Sequence, residues 1–544
     1  MSRFTLALLL FLCGAVPLHP GNDQAGAIFT DITATGHLNF THDPLIGGNY
    51  FFPEIMGSGC ALFDYDKDGD LDIYLISPHK NRLFRQDGNL VFVDVTDGAG
   101  LIDVEYGMGV AIADIDNDGD LDLLDTNYGK DKLFRNNGDG TFSDITQRAG
   151  IDTNGWSTSA AFFDFDRDGL LDLYIARYVK LDPSVICTDR AGRKDYCGPE
   201  GYEAEPDLLY HNRGNGAFED VSKQSGITRF PMKGLGVTSS DFNNDGYPDL
   251  YVANDRQPNH LWINQQNGTF RDAGLALGAA VNAMGQPEAS MGVASADYNN
   301  DGLPDIFTTN LRDESNTLYR NTGQSGFRDE TSASGLGSAS LPFTGFGTGF
   351  LDYNNDGLLD LAIVNGRVIR GPLLKSQKTP SYWDYYSEPN LLFRNEGNGK
   401  FANVSAQSGA FASYIANSRG LAFGDIDNDG DVDLLMTNCG GPAHLFRNDY
   451  EGGAHWLLIR AYDPALKRDA VGSRVTVIAQ GKRITRFVQP AYSYLSSSDP
   501  RLHFGLANTS RLDSIEVVWP DGSEETFTGM NADQILTLQK GKGR

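Results

Sequence analysis

The chain has 544 residues with 44 Lys and Arg against 72 Asp and Glu, a formal net charge of −28. That length exceeds one small domain and allows a large core, and the acidity excludes nucleic acid and an anionic membrane surface as partners. After the first few residues no stretch is long and apolar enough to cross a bilayer as a helix.

Residues 1–27 read as a secretory leader. Arg3 precedes the apolar run Leu6 to Leu12, and small residues follow at Gly14-Ala15 and again at Ala25-Gly26-Ala27, leaving two cleavage points open. The mature protein is then expected outside the cytosol, extracellular or periplasmic.

The rest is dominated by a nine-residue stretch, first seen at Asp64-Tyr65-Asp66-Lys67-Asp68-Gly69-Asp70-Leu71-Asp72, which occurs seven times. Position 1 is Asp64, Asp114, Asp164, Asp241, Asp297, Asp352 and Asp425. Position 3 is Asp66, Asp116, Asp166 and Asp427 in four copies and Asn243, Asn299 and Asn354 in the others. Position 5 is Asp68, Asp118, Asp168, Asp245, Asp301, Asp356 and Asp429; position 9 is Asp72, Asp122, Asp172, Asp249, Asp305, Asp360 and Asp433. Side-chain oxygens at 1, 3, 5 and 9 of a tight loop suit one hard cation, and Ca2+ takes about six to eight oxygens in flexible geometry. The Gly at position 6 supplies the turn that folds the chain back on the ion, and position 8 is apolar (Leu71, Leu171, Pro248, Val432), as for a plug into the core.

A lone acidic turn needs bind nothing; repetition of the same grammar changes the weight. Without a cation each loop holds three to five carboxylates together, and two unit charges ~4 Å apart repel by about 4 kcal/mol at an effective dielectric of 20. The loops alone contain 28 Asp, matching the net charge of −28. Up to seven Ca2+ ions are expected. Asn at position 3 lowers the charge of loops 4, 5 and 6, so loops 1, 2 and 7 should bind most tightly.

Each loop lies in a unit of about fifty residues. A small-residue strand precedes it, as at Gly107-Met108-Gly109, and further strands follow at Leu121-Asp122-Leu123-Leu124, Lys132-Leu133-Phe134-Arg135-Asn136 and Thr141-Phe142-Ser143-Asp144. Four short strands per repeat mark a β-propeller blade. Fourth strands begin near Phe92, Phe142, Phe218, Phe270, Phe327 and Phe401, but the seventh unit ends at Asn448, and its missing strand is found at Phe29-Thr30-Asp31-Ile32-Thr33. The expectation is an all-β chain: a seven-bladed propeller over 28–452, closed by the N-terminal strand, which removes open edges.

Two intervals are long. Arg177 to Pro206 contains Cys187 and Cys197, for which a local disulfide is expected. Gly366 to Pro389 is basic and aromatic, with Lys375 and Lys378 among its charges, and Arg367, Arg370, Trp383, Tyr385 and Tyr386 are a possible ligand face. Cys60 and Cys439 read as buried small hydrophobes. From 453 to 544 the loop grammar gives way to a small, separate β domain, in which Val475 and Val477 alternate, as do Ile515, Val517 and Trp519 before the Pro520-Asp521-Gly522 turn.

These loops and flanks resemble the FG-GAP/VCBS repeats of integrin α-subunit propellers. The motifs His455-Trp456-Leu457, Gly472-Ser473-Arg474-Val475, His503-Phe504-Gly505-Leu506 and Val518-Trp519-Pro520-Asp521-Gly522 resemble an ASPIC/UnbV domain. The pairing is similar to the cartilage acidic protein family, which has many bacterial secreted members. It implies a calcium-binding extracellular propeller, with matrix or adhesion-type interactions for the animal members and little about the ligand of the bacterial ones. The expected function is therefore a monomeric binding scaffold for an extracellular protein or glycan, with no catalytic residues. The alternative is a polysaccharide lyase or hydrolase using the propeller face, for which Glu200, Glu203 and Glu205 are the spare carboxylates. The histidines, His37, His42, His79, His211, His260, His444, His455 and His503, with His19 if the leader keeps it, show no metal-ligand spacing, and no nucleophile or phosphate-cradling motif occurs.

Overall fold

A computed structural model describes residues 27–78, 80–189, 191–374 and 381–544. The expected leader, except its last residue, and His79, Lys375 and Lys378 lie outside the described residues. Strands dominate, and the α-helices are single turns of four or five residues.

Each nine-residue loop joins the first two strands of an antiparallel set of four. In the second set the spatial order is Tyr106–Ala113, Asp122–Gly129, Lys132–Asn136 and Phe142–Asp144. The same order recurs around every loop. Each third strand buries three or more of its five residues, and the first strands are buried almost throughout, with neighbours on both faces. In the last set the fourth strand is Phe29–Asp31, with Phe29 opposite Asn448 and Asp31 opposite Phe446. His444 Nδ1 lies 2.8 Å from Asp31 Oδ2 in that pair. Burial would raise the Asp31 carboxyl, yet hydrogen bonds from His444 and Thr33 hold it down at about 2.

First strands touch in chain order, and Ser418–Gly424 of the last set touches Cys60–Phe63 of the first. A hydrogen-bond relay follows the same order. The amide at the end of each third strand reaches the position-2 carbonyl of the preceding loop: Asn136 Nδ2 to Tyr65 O at 2.8 Å, Asn212 to Ile115, Asn264 to Phe165, Asn321 to Phe242, Asn395 to Tyr298 and Asn448 to Tyr353. In the first set the residue is Gln86, whose Nε2 reaches Ile426 O of the last loop at 3.1 Å.

Residues 453–544 form two further sheets. His455–Asp463 lies between Leu502–Ala507 (antiparallel) and Gln534–Gln539 (parallel). The other sheet runs Lys482–Phe487, Arg474–Ala479, Ser514–Val518, Glu524–Phe527. Val475, Val477, Ile515 and Val517 are buried, as their alternation requires. This part packs directly on the preceding sets. Its Val475, Phe504 and Trp519 share one apolar core with Ile115, Phe162 and Leu171 of the second and third sets.

The connection 491–498 penetrates further, into the space between the first strands. Val110 N donates to Leu495 O at 3.1 Å, Leu495 N to Ser159 Oγ at 3.0 Å, Thr348 N to Ser493 Oγ at 3.0 Å and Phe423 N to Ser498 Oγ at 3.2 Å. Ser497 pairs with Ala61 in parallel, and Tyr494 OH donates to Met56 O at 3.2 Å. Tyr494 and Leu495 are fully buried. A Cβ on Gly59 would collide with the Leu495 carbonyl, so that small residue accommodates the inserted chain as well as its neighbouring strands.

Candidate metal centres and the opposite face

The nine-residue loops are built by their own backbone. Position 4 has left-handed φ in every copy (Lys67 65°, Asn117 57°, Arg167 63°, Asn244 58°, Asn300 57°, Asn355 59°, Asn428 59°), as has the Gly at position 6, between 87° and 96°. Asn tolerates this region and Gly is free in it. The reversal aims N–H groups at the position-1 carboxylate: Asp118 N and Gly119 N donate to Asp114 at 3.2 and 2.8 Å, and the other loops repeat the Gly contact. The position-9 carboxylate is fully buried and accepts one N–H on each oxygen, as Asp122 does from Ile115 and Asn136.

In loops 1, 2, 3 and 7 carboxylate oxygens of positions 1, 3 and 9 lie within 4.8 Å of one another: Asp64, Asp66 and Asp72; Asp114, Asp116 and Asp122; Asp164, Asp166 and Asp172; Asp425, Asp427 and Asp433. Position 5 lies outside these triads; its Oδ1 accepts the position-7 N–H, as Asp68 does from Asp70 at 2.9 Å. In loops 4, 5 and 6 the position-3 side chains Asn243, Asn299 and Asn354 bond within the loop, to Asp245, Asp301 and Asp356. Asp64 Oδ1, Asp116 Oδ1 and Asp427 Oδ1 are buried and accept no hydrogen bond. Such orphan acceptors fit a cation, since an unpaired buried charge is costly. Burial, with help from neighbouring carboxylates, pushes Asp72 up to about 8, Asp352 and Asp425 to about 7, and Asp114 and Asp164 to about 6.

One feature was missed in the sequence: the fourth residue of the third strand is Arg or His in six of the seven sets, and in three of them it lies against the loop. It is Arg85, Arg135, His211, Ile263, Arg320, Arg394 and Arg447 in order. Where the residue two further on is acidic, the arginine is drawn away from the loop: Arg85 to Asp87, Arg394 to Glu396 and Arg447 to Asp449, each at 2.7 Å. Where that residue is Asn137 or Thr322, the arginine falls on the loop instead. Arg135 contacts Asp116 and Asp118 at 2.7 Å each, and Arg320 contacts Asp301 at 3.1 Å.

The C-terminal sheets cover this end of the molecule and set three arginines between neighbouring loops, Arg468 and Arg486 buried and Arg501 half-buried. Arg468 donates to Asn117 Oδ1 at 2.9 Å and Gly169 O at 3.2 Å, beside Asp114 and Asp164. Arg486 lies beside Asp297 and Asp352. Arg501 donates to Asn428 Oδ1 at 2.7 Å and Asp425 O at 3.0 Å. A cavity of about 660 Å³ remains above loops 1 and 2, under Arg460, Lys467 and Arg468.

The long intervals join second to third strands and therefore lie at the other end. Cys187 and Cys197 form the expected disulfide, with Cα atoms 5.1 Å apart, and Cys60 and Cys439 are free and buried. Tyr196 stacks on Trp383 at 6.5 Å and meets the edge of Tyr50 at 5.3 Å. Trp383, Tyr385 and Arg370 are half-buried, with part of each side chain at the surface. Arg367 and Tyr386 are not surface groups as expected: Arg367 is paired with Glu388 at 3.0 Å, and Tyr386 OH donates to Asp195 at 2.6 Å. The spare carboxylates do not converge, since Glu200 pairs with Arg256, Glu203 with Lys180 and Glu205 with Arg177. Among the described residues no helix is long and apolar enough to cross a membrane.

Repeated loops between strands, with a C-terminal β segment seated on them, define a class. Residues 64–124, 114–175, 189–252, 241–308, 297–363 and 382–436 match the FG-GAP-like repeat, and 463–544 match ASPIC and UnbV. The chain belongs to the FG-GAP-like repeat family. It is homologous to cartilage acidic protein 1, with 27% identity to the Mus musculus protein over 62% of this chain and 51% of that one. The Homo sapiens protein gives 27% over 62% and 50%, so the chain spans about half the length of these relatives. Among solved structures, BP39L lectin from Burkholderia pseudomallei has a TM-score of 0.42 at 8% identity, covering 72% of this chain and 96% of that one. Rhamnogalacturonan lyase YesW has a TM-score of 0.37 at 12% identity, covering 72% and 71%.

Proposed function

We propose that the protein is a secreted, calcium-binding seven-bladed propeller, closed by its N-terminal strand, that serves as an extracellular binding scaffold. The carrying observation is the set of triads at positions 1, 3 and 9, with buried oxygens that accept nothing. Ring closure is supported by the Gln86 to Ile426 hydrogen bond, which continues the relay from the last loop to the first, and by the Phe29–Asp31 pairing. We take the boundaries as 28–452 and 453–544, with the C-terminal part as an integral cap. Ca2+ in each loop would neutralise carboxylates that the fold holds together; positions 1, 3, 5 and 9 are its proposed ligands.

Arginine placement refines the expected order of affinity. Loops 1 and 7, with Arg85 and Arg447 drawn aside, bind more tightly than loop 2, where Arg135 must leave Asp116 and Asp118. The ligand, a glycan or a protein, meets the aromatic face through Trp383, Tyr385 and Arg370. Turnover is not part of this reading, because Tyr494 and Leu495 fill the axis that a funnel enzyme would use.

The test is an array of extracellular polysaccharides and matrix proteins probed with the full chain in millimolar Ca2+ and in chelator. Binding in calcium that Trp383→Ala abolishes supports the scaffold. Calcium-dependent melting with no binding to any member leaves the loops structural and overturns the scaffold.

A further inference from the structure

Loop 3 differs from the other six in the side chain above it. Where five sets carry Arg and one carries Ile263, the third set carries His211. An arginine can only compete with a cation, because it has no lone pair to give; a neutral imidazole can ligate one. His211 Nε2 lies 3.0 Å from Asp166 Oδ2, 3.8 Å from Asp168 Oδ2 and 3.9 Å from Asp172 Oδ1. It is nevertheless buried and makes no hydrogen bond. The nitrogen thus points between the carboxylates instead of along a bond to one of them. Phe165 of the loop packs against the imidazole at 5.3 Å and fixes its tilt. Ligand atoms of Asp166, Asp168 and His211 all lie within 4.8 Å of one another, so one ion can reach all three.

Calcium draws oxygen ligands, whereas imidazole with carboxylates suits zinc and its first-row neighbours. We propose that loop 3 is a mixed nitrogen and oxygen site in which His211 joins Asp166 and Asp168 to bind a divalent transition ion of the zinc class in preference to calcium. The inference rests on the reading of the loops as cation sites and replaces calcium at loop 3 alone with a different ion. It also replaces the expectation that no histidine has metal-ligand placement. Sequence spacing could not reveal it, since His211 lies 45 residues from Asp166 and meets it only across the sheet.

The test is metal analysis of the full chain after dialysis against ZnCl2 in millimolar Ca2+, with Co2+ absorption as a spectroscopic reporter. One zinc per chain and a cobalt spectrum of nitrogen-containing coordination are expected. His211→Gln and His211→Arg should weaken zinc by at least the roughly 10- to 100-fold that loss of even an outer ligand partner costs. Calcium content at the other loops should stay unchanged. Arg135→His, which copies the arrangement onto loop 2, should add a second zinc. Zinc retained by both His211 variants, or no zinc on a chain whose loops take calcium, overturns the proposal. A chain that binds no calcium in any loop would instead overturn the reading of the loops.

Discussion

The two ends of this molecule handle charge in opposite ways. At the loop end, carboxylates are crowded and buried, and the C-terminal sheets close over them with Arg468, Arg486 and Arg501. At the other end, aromatic rings from three distant segments pack together, with Tyr50 and Trp383 around a buried Tyr196 and leaving part of their own surface to solvent. The first end is organised by charges that need partners, the second by apolar area and one disulfide. Stability should therefore respond to ions mainly through the loop end, and recognition mainly through the aromatic end.

Chelation should have the largest effect, because every loop loses its counter-charge together. Calorimetry in calcium and in chelator is expected to show a marked fall in melting temperature, and an unchanged value would break the contrast between the ends. Next is Arg468→Ala, which removes donors to Asn117 and Gly169 beside two buried carboxylates. Hydrogen bonds of charged groups contribute roughly 1.5–3 kcal/mol, and urea unfolding should show a loss of that order.

The pH response of the chelated protein should follow. Burial raises Asp72 from the usual 3.8 to about 8 and Asp352 and Asp425 to about 7. The folded chain then holds protons that the unfolded chain has released, so stability falls as pH rises from near 4 through 8. Melting in chelator should be lower at pH 8 than at pH 5, and calcium should remove the difference. At the other end, replacing Cys187 and Cys197 by Ser opens a link across a separation of 10 residues. The loss should not exceed about 3 kcal/mol, with amide exchange rising around Tyr196 while the loops stay protected. Smallest of all is Asp87→Asn, which frees Arg85 to fall on loop 1 as Arg135 does on loop 2. It should weaken calcium at that loop, measured by titration, with little change in melting.

Much of the loop end was legible in the chain. Asp and Gly at fixed spacing within nine residues impose their own turn, because the position-1 carboxylate is bonded by N–H groups only four and five residues on. Strand alternation around Val475 and Val477 was legible for the same reason of short range. What lies above the loops was not. Arg135 meets Asp116 and Asp118, and His211 meets Asp166, through pairing across a sheet. Nothing in their spacing announces which side chain will land on which loop.

By itself the sequence determined the repeating units and their acidic turns, since each forms from residues adjacent in the chain. It also determined that Phe29–Asp31 had no strand of its own to pair with nearby. Only the tertiary structure decided that 491–498 would lie between the first strands, that three arginines would seat the C-terminal sheets on the loops, and that Arg367 and Tyr386 would turn inward. Those outcomes depend on contacts between residues hundreds of positions apart, such as Cys60 with Ser496, and are settled by which surfaces can be buried together without leaving a charge or a polar group unpaired.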